Sequence, residues 1–176
     1  TVDAPSTFPG SLSVASVTND GTGLGGCLKV GDIKFCHASV DGVPALSQLP
    51  VGEYEITYVG LGSPEEIAAA GGLEGKIALV QRGTLTFTDK TTNAANAGAV
   101  AVILFNNVSG AFIPQVTSSV PLGCLSMEDG LALVDTFADG IHGLVTVSKD
   151  IAYQQVGVAR SSAWGTTADL KIKPEI

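Results

Sequence analysis

The sequence predicts a β-rich α+β domain, on three observations. Residues 75–107 read as a strand, a turn, a capped helix and a second strand. The 176 residues include 22 glycines, set between short apolar runs, the pattern of short strands joined by many turns. Two further helix starts are marked by serine caps, Ser63 and Ser126, followed three residues later by Glu66 and Asp129. A hydrophobic content of 45% excludes a disordered chain, and the length suits one domain with a sizeable core.

Taken in order, residues 12–17 alternate as a strand, and Asn19 to Gly26 form a glycine-rich junction. Residues 27–38 form a hairpin turning at Gly31-Asp32. A turn at Asp41-Gly42-Val43-Pro44 precedes a strand over 54–59. Ser63-Pro64-Glu65-Glu66 combines a capping box with proline at the first helical position, so a short helix runs to Ala70 and stops at Gly71-Gly72. Residues 76–80 are a buried strand. In the helix that follows, Phe87, Thr91, Ala94, Ala95 and Gly98 share one face; Thr88 is the expected N-cap and Gly98 the C′ residue. Residues 100–105 form the next strand and 108–119 an irregular loop carrying Phe112, Ile113 and Pro114. A strand over 120–125 leads into the helix capped by Ser126, with Leu131, Val134 and Phe137 expected inward. Strands over 143–147 and 155–159 follow.

In the first hairpin the turn pairs Val30 with Ile33 and therefore Cys27 with Cys36, at a site where side chains approach closely. This pairing admits a cross-strand disulfide, which fits an oxidising compartment, and equally two small buried hydrophobes on one face. Cys124 has no local partner and is expected as a core thiol.

The central stretch resembles the protease-associated domain. The residues that carry the likeness are Gly75-Lys76-Ile77-Ala78-Leu79-Val80, Arg82-Gly83, Phe87, Lys90, Ala94, Ala97-Gly98-Ala99-Val100, Val102-Ile103 and Asn106-Asn107. Many members have a cysteine where this chain has Leu85, which excludes a disulfide at that point. The two ends resemble pieces of the catalytic domain of subtilisin-like serine proteases. At the start these are Pro5-Ser6-Thr7 and the strand over 11–17. At the close they are Ser161-Ser162, Trp164-Gly165 and Lys173-Pro174-Glu175-Ile176.

The resemblance implies a small β-barrel or sandwich flanked by two or three short helices. It also implies three parts: an N-terminal tether over 1–19, a protease-associated domain over 20–154 and a returning tether over 155–176. The implied role is non-catalytic, in substrate access, docking of protein or peptide, or positioning against the parent catalytic domain, outside the cell or at its surface. Arg82, Phe112 and Ile113 are the contact candidates, on loops that follow strand ends; against this, Arg82 reads first as a structural hydrogen-bond donor to neighbouring carbonyls, and Phe112 and Ile113 as residues packed under their own loop. A structural spacer without ligand is the alternative, ahead of a stand-alone hydrolase. An insertion requires the strands over 12–17 and 155–159 to lie together. Tether side chains such as Val14, Val17 and Trp164 would pack on the parent or drive self-association.

Other chemistries find little support. A net charge of −8 with scattered basic residues argues against nucleic acid. The longest apolar stretch, residues 97–105, is too short for a membrane span, and the opening residues lack a basic signal-peptide region. Gly21-Thr22-Gly23-Leu24-Gly25-Gly26 has glycines at dinucleotide-loop spacing but leads into a hairpin rather than a helix, so no cofactor is expected. No GxSxG elbow is present, and the two histidines, His37 and His142, are expected as strand-edge or hydrogen-bonded structural residues rather than bases. Cys27, Cys36 and His37 do not converge as metal ligands on a strand pair. Glu65, Glu66, Glu128 and Asp129 sit at helix starts, where they stabilise the dipole. Asn107-Val108-Ser109 is a glycosylation sequon that matters only in a eukaryotic source.

Overall fold

The computed structural model describes residues 26–148 except Ala111, together with four two-residue strands at 17–18, 157–158, 165–166 and 172–173. The remaining residues, including 1–16, the junction residues 19–25 and Trp164, lie outside the described residues. The chain divides into two compact units, one of residues 1–21 with 154–176 and one of residues 22–153.

In the larger unit the strands are β2 (Cys27–Val30), β3 (Ile33–Cys36), β4 (Gly52–Tyr58), β5 (Ile77–Gln81), β6 (Ala101–Phe105), β7 (Leu122–Leu125) and β8 (His142–Ser148). They form one sheet in the order β3-β2-β8-β4-β5-β6-β7. The strands β4, β5, β6 and β7 run parallel to one another, whereas β8 lies antiparallel to both β2 and β4. Beyond β3, Ala38 exchanges both backbone hydrogen bonds with Cys124 of β7, and Ala45 bridges Leu122. These contacts bring the two sheet edges together and nearly close a barrel, leaving little edge unpaired.

Parallel strands need crossovers, which here are helices for β4–β5 and β5–β6 and an irregular loop for β6–β7. α1 (Pro64–Ala69) links β4 to β5, and α2 (Phe87–Asn96) links β5 to β6. α3 (Met127–Asp135) follows β7. The strands β5 and β6 are continuous apolar runs because both their faces are covered. Ile77, Leu79, Ile103 and Phe105 pack with Leu133 and Phe137 at the α3 end. The alternate residues Ala78, Val80, Val102 and Leu104 pack with Ile67 of α1 and Ala94 of α2.

Local signals set the helix ends. The Ser63–Glu66 capping box is formed in full, with proline opening α1. Ser126 accepts from the Asp129 N–H at the start of α3. Two expectations need correction. The N-cap of α2 is Thr86 rather than Thr88, its side chain accepting from the Asp89 N–H; Thr88 lies within the first turn, where its hydroxyl accepts from the Thr117 N–H. Around α3, Phe137 is buried and Val134 packs against the core as expected, but Leu131 is 44% exposed and Leu133 is buried in its stead. Gly130 sets this phase: a Cβ there would collide with the Phe105 ring, so the helix meets β6 along its glycine.

The hairpin β2–β3 has the register Val30 opposite Ile33 and Cys27 opposite Cys36. The two cysteines are joined by a disulfide. Cys124 is a buried free thiol, and burial pushes its pKa up to about 12. In the smaller unit β1 (Val17–Thr18) pairs antiparallel with β9 (Gly157–Val158), Val17 lying opposite Val158. There β10 (Gly165–Thr166) pairs with β11 (Ile172–Lys173).

Candidate functional site

Parallel sheets present their sites beyond the carboxyl ends of the strands, where loops and helix starts converge. In this fold that end follows Gln81 of β5, Phe105 of β6 and Leu125 of β7. Arg82 is the first residue past β5, and its backbone N–H still donates to the Phe105 carbonyl at 2.8 Å. Its guanidinium donates from Nη1 to Asn106 Oδ1 at 3.1 Å. The guanidinium carbon stands 5.8 Å from the Phe112 ring centroid, in reach of a cation–π contact. Phe112 in turn packs on Phe87 at the start of α2, their ring centroids 5.5 Å apart.

Asn106 is the hub of this end. It is buried, and its side chain accepts from Arg82 and from the Asn107 N–H while donating to the Gly110 carbonyl. The loop after β6 is thereby folded back and tied to the arginine. Glu128, at the start of α3, accepts from the Ser109 hydroxyl at 2.5 Å and from the Gly110 N–H. The Ser109 hydroxyl is the foremost of the contacts that hold the Glu128 carboxyl below its usual pKa. Ile113 and Val108 flank this framework, each 55% exposed.

Arg82 and Phe112 therefore meet, and Ile113, the next residue of the loop, is exposed. The pairing of Arg82 with a side-chain amide, rather than with neighbouring carbonyls, comes from the buried asparagine. Sequence reasoning noted Asn106 as part of a motif but gave it no role. Its signal was a polar residue placed directly after five apolar ones at a strand end.

A second feature had no role assigned from sequence. Lys90 is fully buried. Its Nζ donates to the Leu61 carbonyl and, at 2.9 Å, to the Gln81 carbonyl. Burial lowers its pKa, while the nearby Glu66 charge resists that shift. Burial pushes the Glu66 carboxyl upward, but the N–H groups of Ser63 and Leu61 and the Ser63 hydroxyl outweigh it and hold the pKa below its usual value. This network joins α1, α2 and the end of β5 immediately behind Arg82.

The histidines divide. His142 opens β8, with Nδ1 2.8 Å from Asp139 Oδ2 and Nε2 3.0 Å from the Ala70 carbonyl. Both partners are acceptors, so the doubly protonated ring fits best, and the bond to Asp139 leads the causes that raise its pKa. Together with Glu55, Lys76, Gly143 and Leu144 it lines a shallow depression, where Lys76 pairs with Glu55 at 3.3 Å. His37 departs from expectation. It is 4% exposed, and neither ring nitrogen has a hydrogen-bond partner. Burial lowers its pKa to about 4. The two rings do not form a catalytic pair. Among the described residues no group of His, Cys, Asp and Glu is placed to hold a metal ion.

Comparison with known proteins fits this geometry. A family profile described as PA domain matches residues 50–133. The chain is 32% identical over 181 residues to a C5a peptidase of Streptococcus pyogenes serotype M3, a match that covers 99% of the chain and 15% of that protein. It is 38% identical over 129 residues to the minor extracellular protease Vpr of Bacillus subtilis, covering 70% of the chain and 16% of that protein. The chain thus spans about a sixth of the length of these relatives. Among solved structures, an aminopeptidase from Aneurinibacillus sp. strain AM-1 superposes with a TM-score of 0.55 and 32% identity, over 75% of this chain and 31% of that one. The zinc aminopeptidase BSAP of Bacillus subtilis, at a TM-score of 0.57 and 23% identity over 86% of this chain and 33% of that one, shares the fold.

Proposed function

We propose, from the premise that residues 50–133 form a PA domain, that this chain is the non-catalytic insert of an extracellular subtilisin-like serine protease. Its work there is substrate access, docking of protein or peptide, or positioning of the catalytic domain. Residues 1–19 and 155–176 are the two tethers, and 20–154 the inserted domain. The observation that carries the reading is the pairing of β1 with β9, Val17 opposite Val158. A domain hung within another must leave and return at neighbouring points, and paired incoming and outgoing strands provide that.

Two further observations support it. The likeness to the Streptococcus pyogenes peptidase runs through both tethers, over 99% of the chain. The site described above holds its arginine, asparagine and aromatic rings in contacts of the kind that fix a surface. An extracellular setting accords with the name of the Bacillus subtilis relative and with the Cys27–Cys36 disulfide. No helix among the described residues is long and apolar enough to cross a membrane.

The test is a peptidase assay on the purified chain with casein and short chromogenic peptides. No turnover is expected. Hydrolysis that tracks with this chain through successive purification steps, and survives inhibitors of contaminating proteases, overturns the non-catalytic reading.

A further inference from the structure

We propose that Arg82 is a docking point for the side-chain carboxylate of an acidic residue in an extended peptide, with apolar neighbours of that residue seated on Phe112 and Ile113. The proposal deepens the docking reading above and rests on it.

The case begins with charge. The chain carries 17 acidic and 9 basic residues, so a cation within it has carboxylates to choose from. Among the described residues none forms an ion pair with Arg82, whereas Lys76 pairs with Glu55 and His142 with Asp139. The acidic groups at the same end of the sheet are engaged locally. Glu128 holds Ser109 and Gly110, and Asp89 accepts from the Thr86 hydroxyl at 2.6 Å. A guanidinium carries five N–H donors in a planar fork suited to a carboxylate. Here one nitrogen is committed to Asn106, and the residue as a whole is partly exposed.

The fork is also preorganised. Asn106 is 3% exposed, with both ends of its amide satisfied, so the acceptor that orients Arg82 is fixed. Phe112 lies against the guanidinium, and Phe87 backs Phe112. A side chain held in this way loses little freedom on binding, which favours affinity. Beside it, Ile113 and Val108 offer apolar surface to the residues that flank an acidic side chain. Charge complementarity therefore selects the occupant: a carboxylate set between apolar residues, rather than a basic or uniformly polar segment.

The test titrates the full chain with three probes at low salt: acetyl-Leu-Glu-Leu-amide, its Gln counterpart, and acetyl-Leu-Gln-Leu as a free acid. Binding is read from the Arg82 Nε–H signal and the amide spectrum. The Glu peptide should bind about 10-fold tighter than either of the other two, with shifts centred on Arg82, Asn106 and Phe112. Arg82→Lys, which keeps the charge but loses the fork, should remove most of that preference while the amide spectrum stays folded. Equal affinity for the Glu and Gln peptides overturns the proposal. So does equal or tighter binding of the free acid, which would assign the site to a chain terminus. Shifts that leave Arg82 unmoved also overturn it, whether or not the variant folds. The peptidase assay bears on the insert reading alone, so the two claims fail separately.

Discussion

The Lys90 ammonium donates to the backbone carbonyl of Gln81 at 2.9 Å from a fully buried position. A charge in that place is tolerated because Leu61 and Gln81 supply acceptors and Glu66 supplies a compensating field. Removing the nitrogen leaves two backbone carbonyls short of a donor. Lys90→Met keeps much of the volume and should cost about 2–4 kcal/mol in urea unfolding. A loss below 0.5 kcal/mol, on the order of a surface substitution, would show that the network contributes little.

His142 should titrate above the usual histidine range, because Asp139 and the Ala70 carbonyl both accept from its ring. Lys76 opposes this shift and Glu55 shares the depression. The stabilisation is complete below the unfolded-state pKa and is lost as pH rises through the folded one. An NMR titration of the ring protons checks it. Asp139→Asn should lower the midpoint, and a midpoint unmoved by that change would contradict the assignment.

His37 should act in the opposite sense. Its pKa near 4 lies below the unfolded value, so the folded chain holds the ring neutral while the unfolded chain takes up a proton. Stability contributed by the neutral ring is present above about pH 6.5 and is lost as pH falls toward 4, by about 3 kcal/mol in all. Unfolding followed between pH 7 and pH 4, alongside the His37 ring signal, measures this directly. A ring that protonates near pH 6.5 in the folded chain would refute it.

Much of the fold was legible because its signals are local. The capping residues Ser63 and Ser126, the hairpin turn at Gly31-Asp32, and the buried runs of β5 and β6 are each written in a few adjacent residues. The near-closure of the barrel was legible only through the family resemblance, since the contact of Ala38 with Cys124 joins residues far apart and leaves no periodic trace. Around α3 the spacing placed Val134 and Phe137 inward correctly but also favoured Leu131, which is exposed, while close approach at Gly130 brings Leu133 inward. At the candidate site, Arg82 and Phe112 were identifiable from their loops. Asn106 and Lys90 were not, because burial of a polar side chain depends on partners that only the folded chain assembles.

Replacing residues 19–156 by an Asn-Gly turn, within the proposed parent protease, tests the central claim most directly. Thr18 and Gly157 are register partners, so a two-residue turn joins them without disturbing the pair. The insert account predicts that turnover of a short chromogenic peptide stays within about threefold of the intact enzyme, while cleavage of folded protein substrates falls about 10-fold or more. Loss of short-peptide turnover in an enzyme that remains folded would contradict the account, because it would place part of the catalytic machinery in the deleted residues.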